Sequence, residues 1–170
     1  DNLPHVHKYY RLRKRVLNID DMRMYDVYKP LCKPEGMSFT FDEAVELCLK
    51  ALEPLGEEYT TILRKGLTEE HWVDIYENKN KTSGAYSFGS YDSYPYILMN
   101  FHGELRDVFT LIHESGHSMH SYFTRHTQPY VYGSHSIFTA EVASTVNETL
   151  LIRYLLDNVE STELKKHLIN

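Results

Sequence analysis

The chain has 170 residues, 42% of them hydrophobic and 25% charged, with a formal charge of −6. That length and balance suit a soluble globular unit able to bury a core. The acidic excess argues against a nucleic-acid partner, since a phosphate-tracking surface needs clustered Lys and Arg, and no apolar run approaches the roughly 20 residues of a membrane span.

The first element is an amphipathic helix from about Pro4 to Leu17, whose basic cluster Lys8 to Arg15 reads as a solvated face. An irregular stretch containing Tyr and Pro follows, to Met37. Thr40-Phe41-Asp42-Glu43 has capping-box spacing and opens a helix to about Leu52. Pro54 interrupts it, and another helix is expected from Gly56 to Lys65 with Gly66 as its stop signal. Three runs then look strand-like: His71 to Tyr76, Ala85 to Tyr91 and Tyr96 to Phe101, bounded by Asn, Gly, Ser and Pro. They predict a small antiparallel sheet. Two helices follow, one containing Val108 to His120 and one over 137–157, and 161–168 also looks helical. The class is therefore mainly α with a small sheet. Cys32 and Cys48 form no C-x-x-C pair, which favours free thiols in a reducing, cytoplasmic compartment.

The chemistry concentrates in His113-Glu114-Ser115-Gly116-His117. Helical residues four apart share a face, so both imidazoles can converge on one ion, and neutral imidazole suits Zn²⁺. A carboxylate on the flank, Glu114, can take a proton from a water that the ion has acidified. A catalytic zinc normally has three protein ligands, and the following helix offers Glu141 and Glu148 on one inward face. Seven residues rise about 10 Å, so only one of the two can bind the ion. The same reasoning excludes His120 as a third ligand and makes it a hydrogen-bonded neighbour of the site. His5, His7, His71, His102, His126, His135 and His167 read as surface or satisfied polar residues.

Three segments, 81–87, 95–100 and 107–120, the last containing Asp107-Val108-Phe109-Thr110-Leu111-Ile112 and the histidine pentapeptide, resemble the oligoendopeptidase F family. That family belongs with the thimet-oligopeptidase-like zinc peptidases, and the resemblance extends over nearly the whole chain. It implies a partial zincin-like catalytic core with one Zn²⁺ per chain. It also selects Glu141, in Phe138-Thr139-Ala140-Glu141-Val142-Ala143-Ser144-Thr145, as the third ligand beside His113 and His117. Glu148 and Ser144 are then the candidates to hold the ligand imidazoles, from helical spacing. A common family form has a larger apolar residue where Ser115 stands. Members are several times longer, and the side chains that bind the reacting carbonyl in them lie beyond residue 170. The chain reads as part of one catalytic domain, with a helical wall at about 1–67, a sheet at 68–102 and zinc-site helices at 103–170. The remainder of a larger enzyme is its expected partner.

The expected activity is hydrolysis of internal bonds in short peptides, with Glu114 as general base. Gly84-Ala85-Tyr86 is the candidate strand edge along which an extended peptide would lie, since main-chain hydrogen bonds there ignore its side chains. A metallocarboxypeptidase is the alternative with the same chemistry, but it needs a fixed cation for the terminal carboxylate, and no arginine stands out. A non-catalytic helical scaffold with a structural metal is the other alternative. Closed structural sites often use Cys, and neither cysteine is well spaced for one.

Overall fold

The computed structural model describes residues 2–32 and 36–169. Its helices are α1 (Leu3–Leu17), α2 (Phe41–Ala51), α3 (Glu57–Thr68), α4 (Leu105–Thr127), α5 (Ile137–Asn158) and α6 (Thr162–Ile169). Three short strands are β1 (Val73–Asp74), β2 (Tyr86–Phe88) and β3 (Tyr96–Leu98). The chain divides into two compact units, Asp1–Glu35 with Val159–Asn170, and Gly36–Asn158.

In the smaller unit, α1 carries Pro4 in its first turn, where a missing N–H costs nothing, and closes on Asn18 in the left-handed region, φ 52°. Its basic run is not a uniformly solvated face. Arg13 is 3% exposed and donates to the Tyr9 hydroxyl at 3.0 Å and to the backbone carbonyls of Asp26 and Lys29. Burying a guanidinium is tolerable only with such acceptors. They gather because Met24–Tyr28 coils into a 3₁₀ turn inside the stretch expected to be irregular. On α6, Leu164 and Leu168 are buried one turn apart.

The larger unit begins with the predicted capping box. The Thr40 hydroxyl accepts from the Glu43 N–H at 3.2 Å, and the Glu43 carboxylate accepts from the Thr40 N–H at 2.8 Å. Helix α2 then buries Ala44, Val45, Cys48 and Leu49, a helical repeat of apolar positions. After a 3₁₀ turn at Glu53–Leu55, α3 runs through Gly66 to Thr68, so Gly66 is not a stop signal. It is there because the buried Trp72 indole lies against it. A Cβ at Gly66 would fall 2.3 Å from an indole carbon.

The sheet has the order β1-β3-β2. Only the β2–β3 pair is antiparallel, with Ser87 opposite Ile97; β1 and β3 run parallel, with Val73 opposite Ile97. The expected all-antiparallel sheet is thus a mixed one. The chain leaves β1, builds β2 as the far edge, and returns between the two as β3 in the direction of β1. The strands are shorter than the apolar runs that predicted them. Turns at Ser90–Ser93 and around Gly103 end the pairing.

Helices α4 and α5 pack against each other at very short range, through Gly116. A Cβ there would lie 2.7 Å from Ser144 Cα and 2.8 Å from the Ala143 carbonyl oxygen. Asn147, 1% exposed, bolts the pair by donating to the Ile112 carbonyl at 3.2 Å and to the Tyr59 hydroxyl at 3.0 Å. Ser115 is fully buried, and its hydroxyl is satisfied by the Leu111 carbonyl at 2.7 Å, so the small polar residue there leaves no orphaned group. Cys32 and Cys48 are free thiols, the second buried. Among the described residues no helix is long and apolar enough to cross a membrane.

Candidate metal centre

The close approach at Gly116 brings Glu141 of α5 onto the face of α4 that carries His113 and His117. Nε2 of His113 and Nε2 of His117 are 3.1 Å apart, and Oε2 of Glu141 lies 3.6 Å and 3.8 Å from them. The point equidistant from the three atoms lies about 2.0 Å from each, the length of a zinc–imidazole bond.

The other nitrogen of each imidazole has an oxygen acceptor. Nδ1 of His113 stands 2.6 Å from Oε1 of Glu148, and His117 bonds the backbone carbonyl of Ala140. In the tautomer that sets N–H against these acceptors, each Nε2 presents a lone pair. Two lone pairs and a carboxylate oxygen aimed at one point repel one another unless a cation lies between them. The donor set therefore fits a divalent metal, and its two imidazoles and one carboxylate suit zinc. Burial, and then the closeness of the His113 ring, which disfavours a second proton on the pair, hold His117 below its ordinary proton affinity, which keeps its lone pair free.

Ser144 does not touch either imidazole, as helical spacing had suggested it would. Its hydroxyl donates to Oε2 of Glu141 at 2.8 Å, so it orients the carboxylate instead. The Ala140 carbonyl is the acceptor that sequence reasoning missed; every residue has such a carbonyl, so no side-chain signal marks it. His120 has no hydrogen bond to the three donors. Its ring stacks on His135 at 3.9 Å, and its Nδ1 is buried without a partner among the described residues.

Glu114 is 7% exposed, on the flank of the imidazole face. Burial raises its proton affinity above the ordinary carboxylate range, and the charge of Glu141 adds to this; His113 and a hydrogen bond from the Ser87 N–H oppose it. Its Oε2 is buried and unpartnered among the described residues. Ser87 ties β2 to α4 a second time, through an Oγ···Oγ contact of 2.8 Å with Ser118.

Gly84, Ala85 and Tyr86 lead into the edge strand β2. Gly84 adopts φ +91°, which favours glycine, and it and Ala85 line a cleft of about 860 Å³ that Glu114 also reaches. Tyr86 is half exposed at the start of the strand. Asn100, which sequence reasoning passed over, pins this segment by donating to the carbonyls of Thr82 and Gly84 at 3.1 and 3.0 Å.

The family model of Peptidase family M3 matches residues 1–169. Oligopeptidase PepF of Bacillus subtilis is 55% identical over 169 residues, which are 99% of this chain and 25% of that protein. An oligoendopeptidase F homolog of Borreliella burgdorferi is 52% identical, over 99% of this chain and 29% of its own length. Among solved structures, a protein from Chlamydophila abortus superimposes with a TM-score of 0.87 at 49% identity, covering 96% of this chain and 27% of the other. Oligoendopeptidase-F from Enterococcus faecium gives a TM-score of 0.58 at 32% identity, over 99% and 21%. The chain spans about a quarter of the length of the curated relatives it matches.

Proposed function

The chain belongs to peptidase family M3, and from that premise we propose that it is the metal-binding core of a zinc endopeptidase acting on short peptides. The observation that carries this reading is the convergence of Nε2 of His113, Nε2 of His117 and Oε2 of Glu141 on one point. These three residues hold the metal. Zinc bound there supplies a Lewis acid for the scissile carbonyl and makes a nearby water acidic.

Glu114 accepts the proton of the attacking water and returns it to the leaving amine. Burial favours its protonated form, which brings its proton affinity nearer to the working range of a general acid–base. Glu148 and the Ala140 carbonyl keep the imidazoles in the tautomer that leaves Nε2 free, and Ser144 keeps the Glu141 carboxylate turned towards them. The peptide lies extended against the β2 edge, entered through Gly84-Ala85-Tyr86, so its main chain is held irrespective of its side chains. The remaining three quarters of the enzyme close the cleft and complete the stabilisation of the reacting carbonyl. Free thiols at Cys32 and Cys48 favour a cytoplasmic setting.

The test uses the full-length enzyme. Glu114→Gln is expected to bind one zinc and lose nearly all turnover of a short peptide, whereas Glu141→Ala is expected to lose the metal, read by elemental analysis after dialysis. Full turnover in Glu114→Gln, or full zinc in Glu141→Ala, would remove the proposed roles.

A further inference from the structure

One turn beyond His117 on α4, a second cleft of about 540 Å³ opens beside the edge strand, lined by Ser87 and Gly89 of the β2 segment, Ser121 and Arg125 of α4, and Tyr130 and His135 of the following loop. Arg125 is unusual among the cations of the larger unit. Its Nη2 donates to the Gly89 carbonyl at 2.8 Å, which fixes the guanidinium against the strand. Its Nη1 is buried without an acceptor, and no carboxylate lies within ion-pair distance of it among the described residues. The side chain as a whole is part-buried and carries no counter-charge, which an anion in the cleft would supply. The hydroxyls of Ser121 and Tyr130 have no partner among the described residues, so uncommitted donors line the same cleft. Burial, and then the charge of Arg125, hold His135 below its ordinary proton affinity, which leaves Arg125 as the cation of the cleft.

We propose that this cleft is an anion subsite in which Arg125, helped by the Ser121 hydroxyl, receives a carboxylate of the bound peptide. The carboxylate belongs to an acidic side chain or to the peptide's C-terminus. The proposal rests on the peptidase reading above and adds a specificity to it. Arg125 lies eight residues beyond His117, about 12 Å along the helix axis, and an extended peptide advances about 3.3 Å per residue. For a peptide running along α4, the recognised carboxylate is three or four residues from the bond that is cut. Arginine's planar fork suits a carboxylate better than a lysine ammonium does.

The test compares matched peptides on the full-length enzyme. One pair carries Glu or Gln three or four residues from the cleaved bond, on either side; the other pair ends there in a free or an amidated C-terminus. In the wild type, kcat/KM is expected to favour the anionic member of at least one pair by about tenfold, the usual worth of one charge-assisted hydrogen bond. The pair that responds identifies the source of the carboxylate. Arg125→Met is expected to bring that ratio to about one, and Arg125→Lys to keep part of it. Because each ratio is internal to one enzyme sample, a lower folded fraction in a variant does not alter it. Ratios of one or less for both pairs in the wild type would overturn the subsite, as would an undiminished ratio in Arg125→Met. Cleavage of none of the four peptides would overturn the peptidase reading and this inference with it.

Discussion

Nδ1 of His113 and Oε1 of Glu148 stand 2.6 Å apart, joining α4 to α5 directly behind the candidate metal centre. Glu148 lies two helical turns beyond Glu141 on α5, so one face of one helix carries both a candidate metal donor and the hydrogen-bond partner of a second candidate donor. Glu148→Gln is expected to keep the fold and weaken zinc binding by about 10- to 100-fold, the usual effect of removing an outer partner of a ligating histidine. Competition against a chromophoric chelator measures this. Unchanged affinity would mean that the contact does not orient the imidazole.

Gly116 sits in the middle of α4, where helix propensity alone makes Gly→Ala stabilising by about 1 kcal/mol. The contact with Ser144 and Ala143 reverses the sign. Gly116→Ala is expected to destabilise the metal-free chain by about 2 kcal/mol or more, since the added methyl meets backbone rather than a mobile side chain. Zinc affinity falls as well, because α5 must back away and carries Glu141 with it. Urea denaturation and zinc titration of the same variant check the two effects.

Burial raises the proton affinity of Glu114 in the folded chain above the ordinary value of 4.5. The folded state therefore binds the proton more tightly than the unfolded state. Its contribution to stability is fully present below that ordinary value and is lost as pH rises through the raised one. In a chelator, Glu114→Gln is expected to be more stable than the wild type near neutral pH, by about 1 kcal/mol, because the variant buries no charge. The advantage disappears towards about pH 4, where Glu114 is protonated in both states. Thermal unfolding of both proteins across this range is the measurement. A pH-independent difference would mean that the carboxylate's burial is not its cause.

Asn147 satisfies two groups at once, the Ile112 carbonyl and the Tyr59 hydroxyl. Burial pushes Tyr59 up to about 12, so its hydroxyl stays protonated and needs a polar partner. Asn147→Ala is expected to cost about 2–3 kcal/mol, as both groups lose a buried partner. Chemical denaturation of the metal-free chain tests this, and a loss under about 0.5 kcal/mol would count against it.

The local features were legible in the residues because their causes are local. The Thr40–Glu43 capping box, the two long helices and the shared face of His113 and His117 each depend on spacing within one helix. Gly66 was misread because a stop signal and a close approach use the same residue, and only the position of Trp72 separates them. The parallel pairing of β1 with β3 was hidden for a similar reason. A strand's own pattern indicates which of its faces is buried, but not which neighbour it meets or in which direction.

At the candidate centre, sequence alone determined that two imidazoles and a carboxylate share one helix, since a helix's period is intrinsic to its backbone. Tertiary structure decided the rest. The short approach of α5 at Gly116 sets Oε2 of Glu141 beside the two Nε2 atoms, turns Ser144 to the carboxylate rather than to a ring, and gives His117 a backbone carbonyl as its acceptor. It also sets Arg125 against the Gly89 carbonyl, far away in sequence. These contacts depend on how far apart two separately encoded elements come to rest, a distance fixed by packing and absent from the spacing of residues along either one.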